Sequence, residues 1–413
     1  MIPRLLRESG DFRRFWTAQG ISLVGDQVAV IALPLVAILA LDAGAAQMGY
    51  LTAAALAPNL LFALHFGAWV DRRGRRRQAM IVADVGRAAL VATVPLAYAF
   101  DALTMEHLYA VAFTGGTLSV LFYVSYSALF VSIVPRERFV EANQLIHGSR
   151  ALSNVGGPSL GGLLVQTLSA PVALVADALS FLASAFFLGR VDAAEPPTEE
   201  RTSGHLVAGA RFIWSTAILR MSLLALATIN FFNFVFFALF VLYATRELGV
   251  SPGTLGLVLG AGAVGGVLGS LAVGRIARRI GIGPALVLGC VAFTAPLVLV
   301  PLAAGPHPLV LAMLLAAEFG SGFGVMVLDV TAGSLQQAIV PDRLRSRFSG
   351  AHMLVNYGVR PLGALAGGWL GSTIGVHETL WIATLGAVAG VLFLLPSPLP
   401  RLRELPREPA WET

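Results

Sequence analysis

Lysine is absent from this chain, cysteine occurs once, and charged residues fill only 12% of its 413 positions. Soluble domains are about a quarter charged, so the chain lacks the surface of a water-soluble fold. Without lysine there is no Gly-Lys-Ser/Thr phosphate loop. The lone Cys290 has no partner, which removes disulfides and thiolate metal sites and leaves it a small apolar filler. No spacing of His, Cys, Asp or Glu suggests a metal site. His147 and His352 occupy corresponding places far apart and make no site. The sequence therefore predicts no enzyme, no cofactor and no metal.

What is abundant is apolar: 56% of residues, with a mean hydropathy of +0.78. Lipid offers the backbone no hydrogen-bond partners, so spanning segments must be helices or closed barrels. Long apolar runs without period-2 alternation indicate helices of roughly 20 residues or more. Runs bounded by charge, Pro or Gly predict spans near 15–41, 47–70, 78–100, 107–133, 145–168 and 171–189. A second six are predicted near 219–243, 253–275, 284–304, 308–335, 348–374 and 379–396. Arg4, Arg7, Arg13 and Arg14 precede an apolar run too long for a signal peptide and without a small-residue cleavage site, so it reads as a retained first span. The expected fold class is all-α: twelve transmembrane helices in two pseudo-symmetric six-helix bundles. The expected boundaries are 1–189 for the first bundle, 190–218 for a cytoplasmic linker, 219–396 for the second bundle and 397–413 for a cytoplasmic tail. The linker holds Glu195, Pro196, Pro197, Glu199 and Glu200.

Every basic residue is arginine, and 24 of the 28 fall in the termini and even-numbered connections. By the positive-inside rule both termini are expected to be cytoplasmic, in a plasma or inner membrane. The net charge of +5 thus reports topology, and no nucleic-acid partner is expected. The two halves also repeat. Ile133-Val134-Pro135 recurs as Ile339-Val340-Pro341, and at the same offset Gly157, Gly161, Gly162 and Leu164 fall on Gly363, Gly367, Gly368 and Leu370. Parallel six-helix repeats are a recurring transporter design with substrate bound between the halves.

Between spans 2 and 3 the chain reads Gly67-Ala68-Trp69-Val70-Asp71-Arg72-Arg73-Gly74-Arg75-Arg76-Arg77. Gly74 permits a tight reversal, the arginines anchor at the inner leaflet, and Asp71 can close the end of span 2. A plain topological anchor explains the arginines but not the Gly and Asp spacing. The segment resembles the G-x-x-x-D-R-x-G-R-R signature of the major facilitator superfamily. Gly157-Pro158-Ser159-Leu160-Gly161-Gly162 on span 5 resembles the G-P-x-x-G-G core found in antiporters of that superfamily. Simple small-residue packing is the competing reading. Further marks are Phe12-Arg13, Phe15-Trp16 and Ser22 to Asp26, then Val134-Pro135-Arg136-Glu137-Arg138 with Ala142-Asn143. The second half adds Gln336, Val340 to Arg345 and Arg347. Together they are similar to the enterobactin-exporter and macrolide-efflux branch. The resemblance implies efflux by alternating access, with Gly67, Asp71, Arg72, Gly74, Arg75, Asp84, Arg87, Gly157, Pro158, Gly161 and Gly162 in gating. Span 4 lacks the membrane-embedded arginine or aspartate of some drug/proton antiporters.

A carboxylate in mid-bilayer is costly unless paired or hydrated. Asp26 lies half-way along span 1, with Gln19 and Ser22 on its face, which is expected to line water. Glu318 is central in span 10, with Asp329 three turns on. These three are the proton-coupling candidates, with Arg360 of span 11 as counter-charge. Asp84 and Arg87, three apart, read as a local pair supporting the inner gate. Asp177 on span 6 reads as a hydrogen-bonding group to a neighbouring helix. Gln27, Tyr123, Tyr126, Asn230, Asn233 and Phe237 are the substrate-wall candidates, mixing aromatic and hydrogen-bonding surface as an amphipathic solute requires. The expected activity is proton-driven export of a hydrophobic or amphipathic small molecule by a monomer whose partners are that substrate, protons and the bilayer. An uncoupled facilitator, importer or lysophospholipid flippase, and a non-transporting receptor, stand as alternatives.

Overall fold

The computed structural model describes residues 4–192, 206–341 and 344–405. The linker residues Glu195 to Glu200, the pair Asp342 and Arg343, the end of the tail and the side chain of Asp71 lie outside the described residues. Among the described residues there is no strand, and twelve long helices occupy the twelve predicted spans. They are α1 Gly10–Ala40, α2 Ala45–Arg73, α3 Arg76–Ala99, α4 Met105–Ile133, α5 Phe139–Leu168 and α6 Ala170–Gly189. The second set is α7 Ala217–Arg246, α8 Pro252–Ile280, α9 Ile282–Leu302, α10 His307–Ile339, α11 Arg345–Thr373 and α12 Val376–Leu394. A further helix, Leu206–Ser215, lies in the stretch read as a linker.

Nine of the twelve are long and apolar enough by themselves to cross a membrane. The other three, α2, α5 and α11, carry polar and small residues through their length, among them Arg150 in α5 and Asn356 and Arg360 in α11. Helices associate in lipid by close packing and hydrogen bonding rather than by hydrophobic drive, so such residues belong where helices meet. Several helices run on at their arginine-bearing ends past the apolar windows, because the backbone stays hydrogen-bonded into the interface. Ser9 caps α1 by accepting from the Phe12 N–H at 3.1 Å, which fixes its start five residues ahead of the predicted span.

The chain forms two compact units. Unit 1 comprises Met1–Gly44, Ala54–Arg201 and Ser251–Leu257. In it α1 lies against α5 and α6, and α3 against α4 and α6. Phe12, Phe15, Met80, Leu129 and Leu188 fill its core. Unit 2 comprises Ala45–Ala53, Thr202–Val250 and Val258–Thr413, with α7 against α11 and α12, and α9 against α10. Its core includes Leu219, Ile229, Leu286, Leu394 and the buried Cys290. The helix pairings are those of unit 1 moved on by six helices.

The repeat is sharper in the backbone than in the residues. Among the described residues, four positions in the first half have left-handed φ: Asp42, Gly74, Asp101 and Ser169. Each recurs 204 to 207 residues further on, at Gly249, Gly281, Gly305 and Gly375. The first pair ends α1 and α7 identically: Ala43 N–H reaches Ala37 carbonyl at 2.9 Å, and Val250 N–H reaches Ala244 carbonyl at 2.8 Å. The repeated Val-Pro pairs work the same way. Proline disfavours a helical residue before it, so Val134 and Val340 turn extended and close α4 and α10.

Each unit includes a short end from the other half of the sequence. In unit 1 the start of α8 is seated on α5: a Cβ on Gly162 would overlap the Pro252 carbonyl, and one on Gly256 would lie 3.1 Å from Ser159 Cα. Gln166 accepts from the Gly253 N–H at 2.9 Å and from the Ser251 hydroxyl at 3.4 Å, capping α8. In unit 2 the start of α2 is seated on α11, where a Cβ on Gly49 would stand 2.6 Å from Gly368 Cα.

Ser169 is the outlier of the repeat, since its φ of 129° and ψ of 159° belong to a region open essentially to glycine, and its hydroxyl caps nothing. Such strain is worth about 1–3 kcal/mol. Ser169→Gly should therefore raise the melting temperature of the purified protein, and Gly375→Ser should lower it. Equal melting temperatures for all three proteins would contradict this account.

Candidate functional site

The densest group of charged side chains buried in a unit is in unit 1, midway along α1, α3 and α6. Asp84 and Arg87 are three apart on α3, so one turn of helix sets them side by side, and Asp84 Oδ1 pairs with Arg87 Nη2. Arg87 is only 3% exposed. Its guanidinium lies between two rings, 4.6 Å from Phe122 and 4.1 Å from Phe181, with Ser119 Oγ at 3.5 Å. Rings on two sides and a carboxylate on its own helix hold this cation still. Asp26 of α1 comes to 3.8 Å from Arg87 Nη1 and is 32% exposed. It thus has a cation on one side and an opening on the other. Arg150 of α5 adds a second, more distant positive charge.

Asp177 of α6 completes the cluster, 1% exposed and within electrostatic reach of Asp26, Arg87 and Asp84. The Ser180 hydroxyl donates to the Asp177 backbone carbonyl at 2.8 Å and lies 3.5 Å from its Oδ1. Gly25 makes the packing possible, for a Cβ there would run into Ser180 Oγ and stand 2.7 Å from Asp177 Oδ1.

Gln27 donates to Asn154 of α5 at 2.5 Å and lies directly over Gly157. Gly161 lies under the Val28 backbone, while Gly162 faces α8. The Gly-Pro-x-x-Gly-Gly string therefore serves two neighbours, α1 and α8. Gln19 and Ser22 are buried where α1 packs, so that stretch of the Asp26 face is closed rather than water-lined. Tyr123 is exposed and meets Phe122 edge-on, whereas Tyr126 stacks on Phe15 at 5.2 Å against the core.

Unit 2 treats its acids differently. Glu318 of α10 lies against α8, with its Oε2 3.3 Å from the Cβ position of Gly262. Among the described residues it has no ion-pair or hydrogen-bond partner. Arg360 binds Asn356 Oδ1 at 2.8 Å and lies over Tyr357 at 4.3 Å and Phe234 at 5.2 Å. The exposed Asp329 feels its charge without contact. The cation that meets Asp26 is thus Arg87, and Arg360 spends its hydrogen bond on its own helix. Asn230 donates to Leu226 carbonyl of α7 at 2.9 Å; Asn233 is half-buried, and Phe237 is exposed beside Phe234.

At the arginine-bearing end of α2, Gly74 has the left-handed φ of 64° that the reversal into α3 requires. Arg72 donates to Ala68 carbonyl at 3.0 Å, Arg73 lies over Trp69, and Arg75 holds the N-cap position of α3. Gly67 has open space around it.

A twelve-helix membrane fold with repeated halves, this loop and this α5 string agrees with the comparisons. The sequence model of the Major Facilitator Superfamily matches residues 15–363. The chain belongs to the Major Facilitator Superfamily. Within it, the protein is similar to the multidrug efflux pump Tap of Mycolicibacterium fortuitum, 27% identical over 92% of this chain and 93% of that one. It is similar also to Tap of Mycobacterium tuberculosis (strain ATCC 25618 / H37Rv), 27% identical over 93% and 92%. Two solved superfamily folds align closely. The nucleoside transporter NupG has a TM-score of 0.74 at 12% identity, covering 94% of this chain and 98% of that one. A bacterial homologue of the iron transporter ferroportin in an inward-facing state has 0.73 at 16%, covering 95% and 99%.

Sequence inspection did not anticipate Asn154, Gln166 or the Phe122–Phe181 clamp. The signal for Arg87 was present, as an arginine inside an apolar span, but its meeting with Asp26 depends on how α1 and α3 pack. Gly25→Ala should destabilise the protein by about 1–3 kcal/mol through overpacking against α6. The loss would register as a lower melting temperature in detergent; an unchanged value would mean that α1 and α6 are looser than described.

Proposed function

We propose that this superfamily transporter exports hydrophobic or amphipathic small organic molecules across the inner membrane by proton antiport. The carrying observation is Asp26, a membrane-embedded carboxyl open on one side and 3.8 Å from an immobilised guanidinium on the other. A mobile proton needs both features: access to water and a nearby charge whose attraction changes when the proton leaves. Deprotonated, Asp26 is drawn to Arg87. Protonated, it loses that attraction, and α1 is free to shift against α3. The similar Tap proteins bear the name multidrug efflux pump, which supports outward transport of varied substrates. The exposed Tyr123 in unit 1, and the half-buried Asn233 and exposed Phe237 in unit 2, suit such cargo.

In the proposed topology both termini are cytoplasmic, as the arginine distribution supports. The working form is a monomer of two six-helix halves, 1–189 and 219–396, joined by a cytoplasmic linker over 190–218 and followed by the tail from 397. The halves rock about the substrate. The seats of α8 on α5 and of α2 on α11 close the arginine-poor side and open once per cycle. Gly74 and the arginines around it, with Asp71, serve the opposite gate.

Asp26→Asn should abolish substrate-induced proton release from everted membrane vesicles while the protein still purifies as a folded species. Retention of the wild-type pH profile would remove Asp26 as the coupling acid and pass the test to Glu318→Gln, and flux without proton release in the wild type would favour an uncoupled facilitator. Gly162→Ala should prevent the seat on α5 from closing. A penalty of about 1–3 kcal/mol there corresponds to roughly a tenfold loss of transport or more, read as substrate accumulation in cells.

A further inference from the structure

Asp177 is the carboxyl of the unit 1 cluster that the proposed cycle leaves unused. The charges around it come from each helix packed on α6. The α1 helix presents Asp26, and α3 presents Asp84 and Arg87; α5 reaches the cluster with Arg150, which acts on Asp26. Arg87 is committed twice, to Asp84 by direct contact and to Asp26 at 3.8 Å. Among the described residues no cation forms an ion pair with Asp177. Among the described residues the one donor beside it is the Ser180 hydroxyl, 3.5 Å from Oδ1 and already spent on the backbone carbonyl at 2.8 Å. The missing side chain of Gly25 lets the carboxyl press on the α1 backbone one residue from Asp26, and burial leaves no path for water to solvate a charge.

A buried carboxylate without a cation or a strong donor costs several kcal/mol, whereas the neutral acid costs far less. If Asp26 is to give up its proton in each cycle, the cluster already carries one negative charge beyond what Arg87 balances. Ionising Asp177 as well would put two negative charges beyond what Arg87 balances within a few side chains of each other, with only the more distant Arg150 to offset them.

We propose that Asp177 keeps its proton throughout the cycle and acts as a neutral positioning group, leaving Asp26 the single exchanging carboxyl of unit 1. The proposal rests on the reading of Asp26 as the coupling acid. It makes coupling through unit 1 one proton per turnover, because the second acid facing α1 never discharges.

The test uses the full-length protein in proteoliposomes, with isotope-edited infrared absorption, taken as unlabelled minus aspartate-labelled protein at each pH, beside transport. Asp177→Asn is neutral and close in shape, so it should keep the wild-type pH profile and proton-to-substrate ratio. The wild type, labelled at aspartate, should show a carboxylic-acid carbonyl band that does not change with pH across the transport range, and Asp177→Asn should lose it. A shifted pH profile or a reduced ratio in Asp177→Asn would overturn the proposal, as would a band that titrates. Should the variant fail to fold, the wild-type spectrum still decides: absence of any pH-invariant aspartic-acid band overturns it. A persistent band together with coupling retained in Asp26→Asn would sink the reading of Asp26 and leave the protonated Asp177 standing.

Discussion

An arginine side chain with no water around it has to be held by something, and what holds Arg87 organises unit 1. Two aromatic faces and the Asp84 carboxylate keep the guanidinium in place. That fixed charge then meets Asp26 on α1, and one of its two rings, Phe181, belongs to α6. Truncating one member of a buried charged network leaves the others unpaired, at a cost of about 3–5 kcal/mol. The three helices are thus tied by electrostatics where lipid supplies no hydrophobic drive between them.

Unit 2 has the same backbone plan without the same charge arrangement. Its left-handed turns fall at matching places, its helices pair in the same order, and Val340-Pro341 closes α10 as Val134-Pro135 closes α4. Yet Glu318 faces Gly262 with no cation beside it among the described residues, and Arg360 is taken up by Asn356 and two rings. Duplicated halves that differ this way need not do the same work: in the proposed cycle the titrating pair belongs to unit 1 alone.

The fold was largely legible in the sequence because bilayer thickness and helical rise leave little freedom: twelve apolar runs, an arginine bias and a fixed repeat offset. Gly74 was legible for the same reason, as a position that only one conformation of the reversal allows. The strained Ser169 was not, since nothing in a serine announces a glycine-like φ until the repeat places it opposite Gly375. Site residues were legible one at a time but not in combination. Helical spacing could pair Asp84 with Arg87, which share a helix. It could not say that Asp26 would join them rather than reach toward Arg360, because that is decided by α1 lying against α6 and α6 against α3. Glycines were readable as close-packing sites, and their two separate partners on α5 were not.

The seats at the ends of α8 and α2 are built from glycine against backbone, with Gln166 as the side chain that bridges one of them. A contact without rotamers stores no side-chain entropy. When such a surface separates, only the Gln166 hydrogen bonds must be broken first, and when it meets again, only that side chain must be sorted into one geometry among several. Friction at these junctions is therefore low in both directions. In the proposed cycle the pace then falls to whatever has the more elaborate chemistry, the arrival and departure of a proton beside Arg87.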